Sequence, residues 1–292
     1  MKKVYRQRMN TMRTPLRTAL ITGATDGLGL ALAIALARQH RWKLLLHGRS
    51  HLRLEAARAS ILACTPKASV ECLRADFSSM RDTIELAHHL GKDNKCLDLL
   101  VNNAGVGIES TRCETQDSHE LCVQVNYLST FTLTLQLQVL LERACGRVIC
   151  VSSGLQQVMD QDDPDFRVGW DGQSAYARSK WAQAAFTSFW AKHNPETSST
   201  IHSLHPASLM PTKLVLGQFD VQDSLDQGVH SLLNLINPTD MRAHNGHYFH
   251  YTTPASAPAA IDNEALNEWL FEWSLRSLHS AWRATSTRRA VL

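Results

Sequence analysis

Leu16-Arg-Thr-Ala-Leu-Ile-Thr22 runs into Gly23-Ala-Thr-Asp-Gly27-Leu-Gly29, and that segment runs into Leu30-Ala-Leu-Ala-Ile-Ala-Leu-Ala-Arg38. A short apolar run, a glycine-rich segment and a long Ala/Leu stretch predict strand, turn and helix. Glycine is needed where a turn takes positive φ and where backbone closes on a pyrophosphate, and the helix that follows aims its first N–H groups at the anion. A second apolar run, Lys43-Leu-Leu-Leu-His-Gly48, follows at the spacing of a βαβ unit. The predicted dinucleotide cradle comprises Gly23, Thr25, Asp26, Gly27, Leu28 and Gly29. A site for NAD would place a carboxylate at the tip of the second strand to hold the ribose 2′-hydroxyl, whereas here Gly48 is followed by Arg49. A guanidinium pairs with a 2′-phosphate, so Arg49 predicts NADP(H) in preference to NAD(H).

Two further stretches point to proton transfer. Ser174-Ala-Tyr-Ala-Arg-Ser-Lys180 sets Tyr176 and Lys180 four residues apart, and Arg147-Val-Ile-Cys-Val-Ser-Ser153 ends an apolar run on paired serines. On a helix, positions i and i+4 share one face about 6 Å apart in rise, so a phenol and an ammonium can address one ligand. A free phenol, with a pKa of about 10, is a poor acid or base at neutral pH, and a nearby cation draws it down. By itself such a pair is an ordinary solvated helix face. The cradle upstream gives it a partner.

With these motifs in order, the chain resembles the short-chain dehydrogenase/reductase family over most of its length, from about Arg17 to Tyr251. Thr22, Gly23, Gly27 and Gly29 match the family's glycine motif, and Asp76, followed by Phe77, matches its adenine-contacting aspartate. Asn102-Asn103-Ala104-Gly105 matches the motif that shapes a strand end beside the cofactor. Asn126, Ser153, Tyr176 and Lys180 fall in the order of the family's catalytic tetrad. The resemblance implies a single-domain α/β Rossmann fold: a doubly wound parallel sheet of about seven strands flanked by helices. It also implies that Tyr176 moves the proton, that Ser153 donates to the carbonyl oxygen, and that Lys180 lowers the tyrosine pKa and holds the nicotinamide ribose. Asn126 would anchor a water that relays protons. Ser152 is the alternative for the serine role.

Two departures stand out. After its sixth strand the family usually has Pro-Gly and, a few residues on, a threonine that meets the nicotinamide carboxamide; here His205-Pro206-Ala207 leads by a longer run to Thr212. Between Ser153 and Tyr176 lies an acidic insertion with Asp160, Asp162, Asp163, Asp165 and Asp171, of a length that resembles the retinol dehydrogenase-like branch. Acidic loop runs are usually solvated and no His or Cys cluster accompanies this one, so no metal site is expected.

The other features bound the answer. In 292 residues strand and helix patterns alternate without a Pro/Gly/Ser-rich linker, which predicts one domain over residues 17–260. A net charge of +3 with no basic, aromatic-interleaved stripe does not point to nucleic acid. Seven singly scattered cysteines suggest reduced thiols and a cytoplasmic setting. Residues 1–16 form a basic, acid-free arm, read as a disordered extension, with organelle targeting as the alternative. The longest apolar candidate for a membrane span, Leu121 to Leu141, is interrupted by Gln124, Asn126, Gln136 and Gln138. Lys213-Leu-Val-Leu-Gly-Gln-Phe219 lies where the family has its mobile lid, and its apolar residues suggest a partly hydrophobic substrate. Within residues 261–292, Glu264 to His279 carries Leu266, Trp269, Leu270, Trp273 and Leu278 at helical spacing, an amphipathic helix for the body or for a second subunit in a homodimer.

The function these features predict is NADP(H)-dependent interconversion of a carbonyl and an alcohol. Two alternatives are a catalytically silent dinucleotide sensor on the same fold and an extended-type sugar-nucleotide epimerase or dehydratase. An intact Ser/Tyr/Lys set speaks against the first, and the short remainder after Tyr251 against the second.

Overall fold

Strand β1 (Arg17–Ile21) is apolar on both faces because both are covered: Leu20 packs into one buried layer, Ala19 and Ile21 into the other. The computed structural model describes residues 15–238 and 240–289, and the basic arm therefore falls almost wholly outside the described residues. The other strands are β2 (Trp42–Gly48), β3 (Ser69–Arg74), β4 (Leu99–Asn102), β5 (Arg147–Val151), β6 (Thr200–His205), β7 (Tyr248–His250) and β8 (Thr253–Ala255). The helices are α1 (Gly27–Ala37), α2 (His51–Cys64), α3 (Met80–Asp93), α4 (Ser129–Gln136), α5 (Gln138–Ala144), α6 (Gly172–His193), α7 (Leu225–Ile236) and α8 (Glu264–Arg289), with a π-helical stretch, Val123–Leu128, leading into α4.

Among the described residues the strands form one eight-stranded sheet in the order β3-β2-β1-β4-β5-β6-β7-β8. Pairing is parallel throughout except between β7 and β8. The order reverses between β1 and β4, so the carboxyl ends of β1, β4 and β5 border the crevice where such sheets take ligands. Helices α1, α2 and α7 cover one face, and α3, α4 and α6 the other. The eighth strand exceeds the expected seven. It is a short antiparallel return after Tyr251, which turns the chain at φ +55°, and its three exposed residues carry no alternation to betray it.

Helix α8 packs on the body of its own chain. Phe271 meets Phe131 at 5.5 Å and Phe189 at 5.2 Å between ring centroids, and Tyr127 and Ser274 share a buried hydrogen bond of 2.7 Å. The helix runs to Arg289, past the apolar spacing that ends at Leu278. No helix among the described residues is long and apolar enough to cross a membrane, and all seven cysteines are unpaired.

Candidate functional site

The glycine turn is built for close approach. Gly23 turns at φ +63°, where a side chain is strained, and a Cβ there would sit 2.8 Å from the Ala104 Cα. A Cβ on Gly29, in the first turn of α1, would lie 2.4 Å from the Gly23 carbonyl oxygen and 2.6 Å from Asn103 Nδ2. Asp26 caps α1, its carboxylate accepting from the Gly27 N–H at 2.8 Å, and Leu28 is buried beneath the turn. Thr25 presses its methyl group against Gly48, where a Cβ would meet it at 2.5 Å.

The Asn-Asn-Ala-Gly stretch after β4 is fastened to that turn. The Thr22 hydroxyl accepts from the Asn103 and Ala104 N–H groups, both at 2.9 Å, and Asn103 Nδ2 donates to the Thr22 carbonyl at 2.8 Å. On the other side stands His47, a residue the sequence reading passed over. It is buried, stacks on Phe77 at 4.0 Å, bonds the Ala75 carbonyl through Nε2 at 3.2 Å, and accepts from the Gly23 N–H through Nδ1 at 3.4 Å. Burial pushes its pKa down to about 4, so the ring is neutral at physiological pH, and the two bonds require the tautomer protonated on Nε2. Phe77 thus lies in the core beneath the cradle. Asp76 spends one carboxylate oxygen on the N–H and hydroxyl of Ser78, at 3.0 and 2.8 Å.

At the tip of β2 the exposed Arg49 has company. Parallel register sets Arg74 opposite Gly48, and Arg74 Nε donates to the Arg49 carbonyl at 3.3 Å. Two guanidinium side chains therefore leave adjacent strand ends. Only the position of Arg74 as the last residue of β3 could have signalled it. The turn, the strand-end stretch and this basic tip fit a phosphorylated dinucleotide: the backbone is bare where a Cβ would close it, and the cations stand beyond the second strand.

Ser153, Tyr176 and Lys180 come together at the end of β5. The Tyr176 hydroxyl hydrogen-bonds Ser153, and Lys180 Nζ lies 5.6 Å from the tyrosine ring centroid and donates to the Val151 carbonyl at 2.8 Å. Ser152 faces the other way and donates to the Lys180 carbonyl at 2.8 Å, bracing α6 against β5. The electrostatics depart from expectation. Burial raises the Tyr176 pKa and the Ser153 bond lowers it less, while burial brings Lys180 down to about 8. Desolvation is thus the largest influence on both groups.

Asn126 is fully buried. It lies in the π-helical stretch, its amide taken up by the Val106 N–H at 2.8 Å, the Val106 carbonyl at 3.2 Å and the Ser179 hydroxyl at 2.9 Å. Gly105 runs beside it, where a Cβ would be 3.1 Å from Asn126 Oδ1 and 3.8 Å from Lys180 Nζ.

The acidic insertion is solvated at Asp160, Asp162 and Asp171, as the sequence suggested, and is anchored to the body at Asp165 and Phe166. Phe166 and Asp165 are buried; Arg112 donates to both of their carbonyl oxygens at 3.1 Å, and the Arg178 guanidinium lies 3.8 Å over the Phe166 ring. His119 pairs with Asp165 at 2.9 Å, Asp163 accepts from the Arg167 and Val168 N–H groups, and Asp171 caps α6. Phe166 and Trp170 join Val106, Cys122 and Ala175 in a small apolar cluster against Tyr176.

Beyond β6, Pro206 is buried and Thr212 sets its methyl against Gly27, where a Cβ would be 3.1 Å away. Lys213 forms an ion pair with Asp26, so the segment after Thr212 reaches the glycine turn. Its base is closed by Asp223, whose carboxylate accepts from the Ser208 N–H at 2.7 Å and the Tyr251 hydroxyl at 2.5 Å. No group of His, Cys, Asp and Glu side chains suited to a metal occurs among the described residues.

The sequence model of the short chain dehydrogenase family matches residues 17–219. A candidate daunorubicin C-13 ketoreductase from a Streptomyces strain is 34% identical over 199 residues, 67% of each chain. Retinol dehydrogenase 12 of Bos taurus is 33% identical over 210 residues, 70% of this chain and 64% of that one. Among solved structures, NADPH-bound carbonyl reductase from chicken fatty liver superposes with a TM-score of 0.64 at 19% identity, covering 82% of this chain and 97% of that one. With a family match across more than half its length, over the same sheet and crevice that hold the cradle, the chain belongs to the short-chain dehydrogenase family.

Proposed function

We propose that the chain is an NADP(H)-dependent oxidoreductase that interconverts a carbonyl and an alcohol, with Tyr176 as its proton donor and acceptor. The convergence of Ser153, Tyr176 and Lys180 beside the glycine cradle carries this reading. When bound, the nicotinamide supplies or takes up the hydride. Gly23, Thr25, Asp26, Gly27, Leu28, Gly29, Asn103, Ala104 and Gly105 form the floor for the dinucleotide, Asp76 and the Phe77 backbone flank its adenine, and Pro206 and Thr212 flank its nicotinamide end. Arg49 holds the 2′-phosphate and Arg74 stands beside it.

In the reducing direction Ser153 donates to the carbonyl oxygen as charge grows there, and Tyr176 delivers the proton that completes the alcohol. Ser153 already meets the Tyr176 hydroxyl, so both can address one oxygen. Lys180, buried and charged at neutral pH, opposes the negative charge left on the phenol. Asn126 holds the strand-end loop at Val106 against α6 through Ser179. The exposed Leu214, Leu216, Phe219 and Val221 beyond β6, with Leu155 and Val158 after the catalytic serine, favour a partly hydrophobic substrate. Names of relatives point to the same reaction class: a daunorubicin C-13 ketoreductase and a retinol dehydrogenase.

The test is NADPH and NADH oxidation, in parallel, with all-trans-retinal, decanal, 4-nitrobenzaldehyde and a polyketide-type aromatic ketone, on the wild type and Tyr176→Phe. Loss of the hydroxyl should cost about 10²- to 10⁴-fold in turnover while NADPH binding stays within a few-fold. Retained turnover refutes the assignment, and tight NADPH binding without turnover on any carbonyl would favour the silent sensor.

A further inference from the structure

Lys180 is held by a side chain that no motif singled out. Gln183, wholly buried one turn further along α6, faces two ways: its Oε1 accepts from Lys180 Nζ at 3.2 Å, and its Nε2 donates to the Asn126 main-chain oxygen at 2.7 Å and to Thr130 Oγ1 at 3.2 Å. The opposite amide orientation would turn an NH₂ group toward an ammonium, so the network fixes this one. The Asn126 carbonyl can accept from outside because π-helical turns widen the main-chain bonding there. Thr130 Oγ1 donates to the same oxygen at 2.9 Å, so both of its lone pairs are taken. The main-chain carbonyl of Asn126 thus retains no ready acceptor for a relaying water.

We propose that Gln183 is a positioning residue for proton transfer, its amide fastening the Lys180 ammonium to the Asn126 carbonyl in the place that the sequence reading gave to a water. This rests on the Tyr176–Lys180 reading above. The ammonium has three N–H donors: Val151 takes one, Gln183 takes the second, and the third is left for the cofactor side. The other titratable groups facing Lys180 are Tyr176 on its own helix, Cys122 on the turn before the π-helical stretch and Cys150 on β5. Burial pushes both thiols up, so they are neutral. The charge on Lys180 is therefore supported by two neutral oxygens, and Gln183 supplies the one that a substitution can alter.

The experiment is a direct titration of Lys180 by carbon-13 NMR of ε-labelled lysine in the full chain, its resonance assigned by disappearance in Lys180→Arg. The wild-type midpoint is expected near the value of about 8 that burial imposes. Gln183→Leu removes the acceptor and should lower the midpoint by about one pH unit, the equivalent of one hydrogen bond to a charged group. Gln183→Glu places a carboxylate there and should raise it by about one unit or more. Shifts of opposite sign do not follow from a loosened core, and if the leucine variant fails to fold, the glutamate variant decides alone. An unmoved midpoint with an inactive Tyr176→Phe overturns the role of Gln183 only. A Tyr176→Phe that keeps its turnover overturns the site reading, and this inference with it.

Discussion

Replacing His47 by leucine should loosen the cradle and remove a pH dependence that can be worked out in advance. In the wild type the imidazole donates to the Ala75 carbonyl and accepts from the Gly23 N–H. Leucine fills the space beside Phe77 but leaves both buried groups unpaired, at about 1–3 kcal/mol each at neutral pH. The pH term has a definite sign. The folded-state pKa, about 4, lies below the ordinary 6.5, so the unfolded chain takes up the proton first, and the contribution is complete above 6.5 and fades as pH falls toward 4. Between pH 7 and pH 5 the fade amounts to about 2 kcal/mol, and it approaches about 3 kcal/mol near pH 4. His202 and His205 are buried with lowered pKa values too, but they are common to both proteins and cancel in the difference. Urea unfolding followed by tryptophan fluorescence at pH 7, 6 and 5 gives the comparison. His47→Leu should be the less stable at pH 7, the gap should shrink by about 2 kcal/mol by pH 5, and NADPH should bind more weakly because Gly23 has lost its tether. A gap that stays constant over this range would refute the neutral, hydrogen-bonded assignment.

Other expectations follow from the same geometry. Arg49→Ala should weaken NADPH by roughly ten- to a hundredfold and NADH hardly at all, as expected for a charge-assisted bond to phosphate worth about 1.5–3 kcal/mol; Arg74→Ala should act in the same direction. Calorimetric titration with both cofactors checks this, and equal weakening would make the arginines bystanders. The paired serines should separate by assay. Ser153→Ala is expected to lower kcat by about 10²-fold or more with an unchanged melting temperature, whereas Ser152→Ala loses the brace to the Lys180 carbonyl and should cost about 1 kcal/mol of stability. Gly29→Ala puts a methyl 2.4 Å from the Gly23 oxygen and should destabilise the fold and abolish cofactor binding, unlike Gly91→Ala on α3, whose site has nothing within 4 Å and an ordinary helical backbone. Thermal unfolding with and without NADPH distinguishes the two.

What could be read from the chain was what the chain places within one turn of itself. The glycine turn follows directly on β1, and Tyr176 and Lys180 share one face of one helix, so their spacing alone puts them together. What could not be read depends on contacts that spacing does not encode. Arg74 joins Arg49 only through the register that pairs Gly48 with Arg74, and a slip of one residue would turn it to the other face. Asp165 looked like surface because its partners, Arg112 at its main-chain carbonyl and His119 at its carboxylate, stand some fifty residues upstream. Gln183 shows the limit most clearly. It sits three residues after Lys180, a spacing as legible as that of the tyrosine, yet it reads as one polar residue in an apolar helix until the widened turns at Asn126 turn a carbonyl toward it. A π-helical stretch leaves no fixed signature in residue type. The order of Asn126, Ser153, Tyr176 and Lys180 in the chain therefore pointed to the candidate site, while the way Lys180 is held there became visible only from the backbone of the segment carrying Asn126.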